Sequence, residues 1–401
     1  MSQSATSTQF INTSSEKIYL AFTRSLLLRQ WLCDFATVHP RPGGRMYLWW
    51  NGDFYSAGEY LELEQNRKVK FKWHSRVDPA PSEVTITLTP KGDGTQVSME
   101  HTVPDGEDWK QRLANFKQEW DSTLPNLASL LETGLDRRIY DRPMLGIQIS
   151  DFNAEIAKAA GVPVTEGIRL ADTIEGMGAR AAGLLADDVI VEFNGKPVTT
   201  DFGSLTMALQ GVKGGDIVKV VFYRGAEKHT VDMTLSKRPV WEVPSDPIEL
   251  SRQARTKYDT ALGLLQDVLA GVTDREASFS PAPGEWNARQ VLAHLIHTER
   301  GFLANIDDLV GGFEHHIDDF GGNSTVHINA TIVAYGSIEA MLGELKRLAD
   351  ETVAYLAALP PEFVTWKSNY RDLGTAFLYV THTESHVDQI RNAIHAARNS
   401  G

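Results

Sequence analysis

The spacing of apolar residues changes character along this 401-residue chain, and each change marks a different kind of architecture. Met46-Tyr-Leu-Trp-Trp, Ser56-Ala-Gly-Glu-Tyr-Leu-Glu-Leu, Lys68-Val-Lys-Phe-Lys-Trp-His, Glu83-Val-Thr-Ile-Thr-Leu-Thr and Thr95-Gln-Val-Ser-Met-Glu-His-Thr alternate apolar with polar residues. A period of two gives half-buried antiparallel strands. A strand over 8–13 and a helix from Ser14 or Ser15 precede them, and a long helix over about 108–132 closes this segment. Between 140 and 238 the runs are shorter, with the hairpin dipeptide Asn194-Gly195, a short helix over 202–209 and a second hairpin through Arg224-Gly225. From residue 248 the period is that of helices. Four are expected, over 248–271, 287–311, 337–359 and 373–398. Asn287 and Gln290 form a capping box at the second, and Pro360-Pro361 closes the third. The segments 311–330 and 360–372 read as loops at the bundle ends. Pro239, Pro244 and Pro247 make 238–248 a semi-rigid linker.

Charge narrows the partners. The net charge is −13, and from Asp246 onward 12 Lys and Arg face 21 Asp and Glu. An acidic surface repels phosphate backbones, so nucleic acid is not expected as a partner. Runs of 18 or more apolar residues are absent, and no membrane insertion is expected. The polar N-terminus and the single Cys33, which has no partner for an internal disulfide, read as a cytoplasmic location.

The histidines carry the chemistry. His382 and His386 stand four apart in a helical stretch, and residues so spaced share a face. His294, on the second helix, can approach from across the bundle to complete a three-histidine metal site with a coordination position left open. Gln389, three residues after His386, is a candidate hydrogen-bond partner for that ring. His297 competes with His294 for the first ligand place. His315, His316 and His327 are read as loop residues and His395 as surface. Glu384 points away from His386, and Glu299, five residues past His294, reaches inward only with difficulty.

Three resemblances join these readings. The order strand, helix, antiparallel meander, long helix resembles the helix-grip fold of START-like proteins. Trp31-Leu-Cys-Asp-Phe-Ala, Arg41-Pro-Gly-Gly-Arg, Gly58-Glu-Tyr-Leu-Glu-Leu and Phe71-Lys-Trp are similar to the activator of Hsp90 ATPase homologue (AHSA1) branch. That likeness implies an apolar cavity between sheet and helix, with a small hydrophobic ligand as partner; packing alone also accounts for Trp49, Trp50, Phe71 and Trp73. Residues 140–238 resemble a bacterial PDZ domain. The resemblance implies that a protein C-terminus or extended peptide adds to a sheet edge at Leu145, Gly146 and Ile147, with Leu205 and Leu209 on the opposite wall. Glu285-Trp286-Asn287, Ala293-His294-Leu295 and His382-x3-His386-x2-Gln389-Ile390 resemble the DinB/YfiT-like metalloproteins. The family position, the His followed by Leu, favours His294 over His297. A divalent ion, zinc, nickel or iron, is implied on His294, His382 and His386, with zinc first.

The fold class expected is therefore multidomain α+β: a helix-grip α/β domain over 1–138, a mostly-β PDZ domain over 139–240 and an all-α four-helix bundle over 246–401. The function expected is that of a metal-dependent hydrolase or thiol S-transferase fused to ligand-binding and peptide-binding modules. The alternative is a non-enzymatic adaptor.

Overall fold

In the computed structural model, residues 2–313, 324–379 and 382–400 are described. Strand β1 (Ser2–Ile11) leads into helices α1 (Ser15–Thr23) and α2 (Ser25–Trp31). Strands β2 (Phe35–Val38), β3 (Arg45–Trp50), β4 (Phe54–Glu64), β5 (Lys68–Ser75), β6 (Ser82–Lys91) and β7 (Gly94–Pro104) follow, then helix α3 (Glu107–Thr133). They form one seven-stranded sheet in the order β1-β7-β6-β5-β4-β3-β2. The first strand is longer than its local pattern suggests, because β7 pairs with it from Ser2 opposite Pro104 to Ile11 opposite Thr95. Ladder pairing extends the strand through a Ser/Thr-rich start that carries almost no apolar alternation. Alternation turns Val69, Phe71 and Trp73 to the same core as Ile86 and Met99. Helix α3 meets them with Phe116, Trp120, Leu124 and Leu127, spaced three or four apart.

The second module contains α4 (Arg137–Tyr140), β8 (Ile147–Ser150), α5 (Ala154–Ala160), β9 (Ile168–Thr173), α6 (Gly178–Ala181), β10 (Val189–Phe193), β11 (Lys196–Pro197), α7 (Phe202–Ala208), β12 (Ile217–Arg224) and β13 (Glu227–Thr234). Its sheet runs β13-β12-β10-β9-β8, with β11 paired to β10. The fork of Arg224 takes both carboxylate oxygens of buried Asp188 at 2.8 Å, fixing the start of β10 to the end of β12.

The helical module contains α8 (Pro247–Val268), α9 (Asp274–Ala277), α10 (Ala288–Gly311), α11 (Thr325–Tyr335), α12 (Ile338–Ala357), α13 (Pro361–Val364), α14 (Lys367–Tyr379), α15 (His382–Ser385) and α16 (Val387–Asn399). The capping box of Asn287 and Gln290 starts α10. Three features depart from four simple helices, the first being that the segment expected as a loop over 360–372 holds α13 and the start of α14. Part of the segment expected as a loop over 311–330 is α11, whose β-branched residues have modest helix propensity and whose Ile328 is buried in the bundle core. The last helix is divided: His386 donates its backbone N–H to Thr383 O, three residues back at 3.2 Å, and the Ser385 hydroxyl takes the carbonyl of His382 at 2.6 Å.

The three modules make two compact units. One comprises Met1–Gly134 with Trp241–Gly401, the other Leu135–Val240. Within the first unit α14 packs on α3, and Trp366 packs against the core of the sheet module. Ser368 and Asn369 are buried there. Gln30 donates to Asn369 Oδ1, and Gln30 Oε1 accepts from the Ser368 hydroxyl at 3.0 Å. Lys17 Nζ donates to Thr365 O at 2.8 Å. Gly134, at φ +77°, ends α3 in the left-handed region, and a Cβ there would sit 2.6 Å from Lys367 O. Residues 241–244 are a strap on α14 rather than a free linker. Tyr370 and Tyr379 hydroxyls donate to Pro244 O and Glu242 O, each at 2.8 Å, and Trp241 stacks on Tyr379.

Calorimetry of the whole chain should show two unfolding transitions, not three. Gly134→Val should lower the transition of the larger unit by at least about 1–2 kcal/mol, the cost of a side chain in the left-handed region, and leave the other in place.

Candidate metal centre

Three imidazoles meet between α10 and the α15–α16 turn. His294 lies in the second turn of α10, 7% exposed, among residues that form the bundle core. Its Nε2 lies 3.2 Å from His382 Nε2, which lies 3.3 Å from His386 Nε2. One nitrogen from each ring falls within 4.8 Å of the others. The ring centroids are 5.1, 5.0 and 4.8 Å apart, close to an equilateral triangle. His386 Nδ1 stands 2.8 Å from Gln389 Oε1. That contact calls for a proton on Nδ1 and leaves the Nε2 lone pair facing the other rings. Trp286 covers His294 with ring centroids 5.3 Å apart.

Burial, then the neighbouring rings of His382, His386 and His297, pushes His294 down to about 4. Burial, then His386, also lowers His382. Both rings are therefore neutral donors at neutral pH. His294 Nδ1 is buried with no hydrogen-bond partner among the described residues.

Other histidines and acids fall differently. His297 Nε2 meets the ring of His327, which lies on α11 instead of in a loop. His395 is exposed and contacts Asn399. His315 and His316 lie outside the described residues. Glu299, read as reaching inward only with difficulty, is 7% exposed and accepts a 2.7 Å hydrogen bond from Tyr258 OH. Both line a small pocket with Lys257, His382 and Glu384. Burial pushes Glu299 up to about 7, and burial with the charge of Glu299 pushes the Tyr258 hydroxyl up. Tyr258 thus stays a donor. The signal for Glu299 was its place among apolar residues of α10; Tyr258, on α8, carried none. On the far side, Trp286, Glu285, Gln389 and Asn392 line an open cleft.

In the sheet modules, Leu145 and Leu205 are buried in the core of the second, while Ile147 and Leu209 pack against that core half-exposed. Gly146 has φ +73°, and a Cβ would run into Met177. Strand β8 is the last strand of its sheet. In the first module, Leu32, Trp50, Phe54, Trp73, Trp120, Glu119 and Thr123 surround a cavity of about 360 Å³. Trp73 and Phe71 are buried and Trp50 is half-exposed. Nearby His101 is fully buried, pushed down to about 3 by burial, and held by the Ser82 hydroxyl at 2.8 Å and Trp120 Nε1 at 3.1 Å.

The family model for activator of Hsp90 ATPase homolog 1-like protein matches residues 12–132, that for the PDZ domain residues 143–235, and that for the DinB superfamily residues 257–390. The chain joins these three families in that order. Among curated proteins, the periplasmic pH-dependent serine endoprotease DegQ of Escherichia coli K12 is 30% identical over 142 residues, which are 35% of this chain and 30% of that protein. A probable periplasmic serine endoprotease DegP-like of Marinomonas sp. MWYL1 is 32% identical over 98 residues, 24% of this chain and 21% of that protein. The chain thus spans less than a third of the length of these relatives, in the PDZ region. Among solved structures, protein MLL2253 of Mesorhizobium loti is 26% identical, covering 32% of this chain and 97% of its own, with a TM-score of 0.30. The Aha1 dimer of Colwellia psychrerythraea is 21% identical, covering 32% and 96%, with a TM-score of 0.29.

These relatives overturn the cytoplasmic location, since the curated proteins that match the PDZ region are periplasmic. The physical ground for that expectation was weak: one cysteine cannot close an internal disulfide in any compartment. Among the described residues no helix is long and apolar enough to cross a membrane.

The raised Glu299 carries a stability signature. Below about pH 4.5 its carboxyl is protonated in both folded and unfolded chains. Between there and about pH 7 the unfolded chain releases the proton while the folded chain keeps it, so stability falls as pH rises, by up to about 3 kcal/mol. Glu299→Gln retains an acceptor for Tyr258 and removes the charge. Its melting temperature should match the parent near pH 4.5 and exceed it at pH 8.

Proposed function

We propose that His294, His382 and His386 hold a divalent cation, zinc first and nickel or iron otherwise, and that the chain is a metal-dependent hydrolase or thiol S-transferase. The observation that carries this is the convergence of three imidazole nitrogens at 3.2 and 3.3 Å. A tetrahedral zinc with Zn–N bonds of about 2.0–2.1 Å requires its ligand nitrogens about 3.3–3.4 Å apart. Without a cation the cluster has no full hydrogen-bonding solution. Gln389 fixes the His386 lone pair inward, and His382 Nε2 faces two nitrogens with at most one proton. The unpaired His294 Nδ1 stands apart from this shortage, which concerns the three Nε2 atoms alone. Three imidazole nitrogens suit a borderline divalent ion.

Such an ion, when bound, supplies a full positive charge that brings the pKa of a water or thiol beside it to about 7. The chain's own residues do the rest. Gln389 holds the tautomer and direction of His386, and Trp286 keeps water from one side of His294. Glu299, on the pocket beside His382, can hold or release a proton near neutral pH, with Tyr258 fixing the carboxyl by its hydroxyl.

The other modules serve as binding sites in this reading. The tryptophan-lined cavity of the first suits a small hydrophobic ligand, and its volume falls within the range of ligand pockets. The end strand β8, which starts at Ile147 directly after Leu145-Gly146, suits an extended peptide or protein C-terminus added to the sheet. Leu205 and Leu209 back that groove. A location outside the cytoplasm accords with the periplasmic relatives of this module.

Purified chain should carry tightly bound metal by elemental analysis. The double variant His382→Ala, His386→Ala should lose it; metal-free protein indifferent to that change would leave only the adaptor reading. Gly146→Val should weaken binding of C-terminal peptides at least tenfold in fluorescence anisotropy without altering metal content.

A further inference from the structure

Where the sheet module meets the bundle, α2, the end of α10 and the α13–α14 segment leave a partly enclosed cavity of about 120 Å³ between them. Its apolar walls include Leu27 of α2, Leu309 of α10, Phe363 of α13, and Trp366 just before α14. Leu27 and Phe363 are buried. No lining residue is shared with the three-histidine cluster or with the tryptophan-lined cavity of the first module. Apolar cavities of about 150 Å³ take up a benzene-sized molecule. This one therefore suits a single small ring.

One buried polar side chain faces that space. Asn369 lines the cavity and is 4% exposed. The Ser368 hydroxyl donates to Gln30 Oε1, which leaves the Gln30 amide nitrogen to donate to Asn369 Oδ1. Asn369 Oδ1 is thereby engaged, while its Nδ2 has no hydrogen-bond partner among the described residues. Nor is Nδ2 among the unpaired atoms sealed inside the protein. A nitrogen neither paired nor sealed opens onto the space its residue lines, and both of its N–H groups are available to an acceptor there.

The rest of the lining says which acceptor. Its charged residues are Arg24 and Glu362, both exposed and opposite in sign. An anion would have to leave water with no buried cation to receive it, so the lining favours a neutral molecule. A hydroxyl would bring a donor of its own, and Asn369 Oδ1 is already taken by Gln30. A hydrocarbon would displace water from Nδ2 and leave the donor unpaired. A carbonyl oxygen accepts without donating.

We propose that this joint between the modules binds a small, neutral, ring-sized carbonyl compound, whose oxygen accepts from Asn369 Nδ2. Because both modules supply walls, the ligand binds only their docked form and stabilises the unit that joins them. The site is independent of the three-histidine cluster and requires no metal.

The test uses full-length protein and two probes of one shape, cyclohexanone and methylenecyclohexane, in which a CH2 group replaces the oxygen. Cyclohexanone should raise the melting temperature of the larger unit in calorimetry. In nitrogen-edited NMR it should shift the Asn369 side-chain amide signals, which are identified by their absence in Asn369→Asp. It should bind about tenfold more tightly than methylenecyclohexane, since only the ketone pairs the buried donor. Asn369→Asp keeps an oxygen for Gln30 and removes the donor, so that preference should vanish. Should a buried carboxylate unfold the joint, Leu26→Trp serves instead. It fills the cavity from a half-buried position and should keep the parent's melting transition while cyclohexanone no longer moves the Asn369 signals. Equal affinity for the two probes in the parent overturns the proposal. So does an absence of cyclohexanone binding, or binding that leaves the Asn369 signals in place and survives Leu26→Trp.

Discussion

Asn369 is buried, and the side chain that satisfies it belongs to Gln30, 339 positions earlier. A buried polar group left unpaired costs about 1–3 kcal/mol, so Gln30, Asn369 and Ser368 lock the AHSA1 module to the DinB bundle more specifically than apolar contact alone. Helix α14 starts at this lock and ends at Tyr379, and the chain presents His382 three residues later. His294 comes instead from α10, set by the bundle's own core. The imidazole cluster is thus assembled from two supports. One of its halves is positioned by a helix whose other end is anchored on a different module.

The same burial works in opposite directions on the two kinds of group at this site. It disfavours the charged form, so His294 goes down to about 4 and Glu299 goes up to about 7. Near neutral pH the imidazole is then a neutral nitrogen donor, while the carboxyl stands at the midpoint of its titration. Paired groups whose environments drive them apart are the pattern of acid–base sites. Here the division comes from apolar surroundings, which raise Glu299 against the opposing hydrogen bond from Tyr258.

Much of this was legible in the sequence, and the rest was hidden for identifiable reasons. The period of two found the strands, the period of 3.6 found α8, α10 and α12, and the Asn287–Gln290 cap placed the start of α10. The spacing of His382 and His386 with Gln389 survives the break at His386, since that residue keeps helical dihedrals. What pattern could not show were contacts between distant segments. The merging of first and third modules depends on Gln30 finding Asn369. The strap over 241–244 depends on tyrosine hydroxyls from α14. Helix α11 has a β-branched sequence that local propensity discounts, and only docking of Ile328 makes it helical. Glu299 was judged by angle along its helix, whereas its orientation is decided by Tyr258 on another.

Placing a PDZ module between two halves of one compact unit requires that the chain leave and return at nearly one point. On the module's side, Met144 and Ser236 exchange both backbone hydrogen bonds, at 2.9 and 3.0 Å, so its entry and exit are paired like neighbouring strands. On the other side a single guanidinium does the equivalent. Arg371 donates through Nη2 to Thr133 O at 3.2 Å, the last residue of α3, and through Nη1 to Trp241 O at 3.1 Å, the first residue of the strap. Insertion is tolerated where the ends of the inserted domain lie close together and its host's exit and return do as well. Both conditions are met here by named hydrogen bonds, which is why a sequence that reads as three consecutive modules folds as one body interrupted by another.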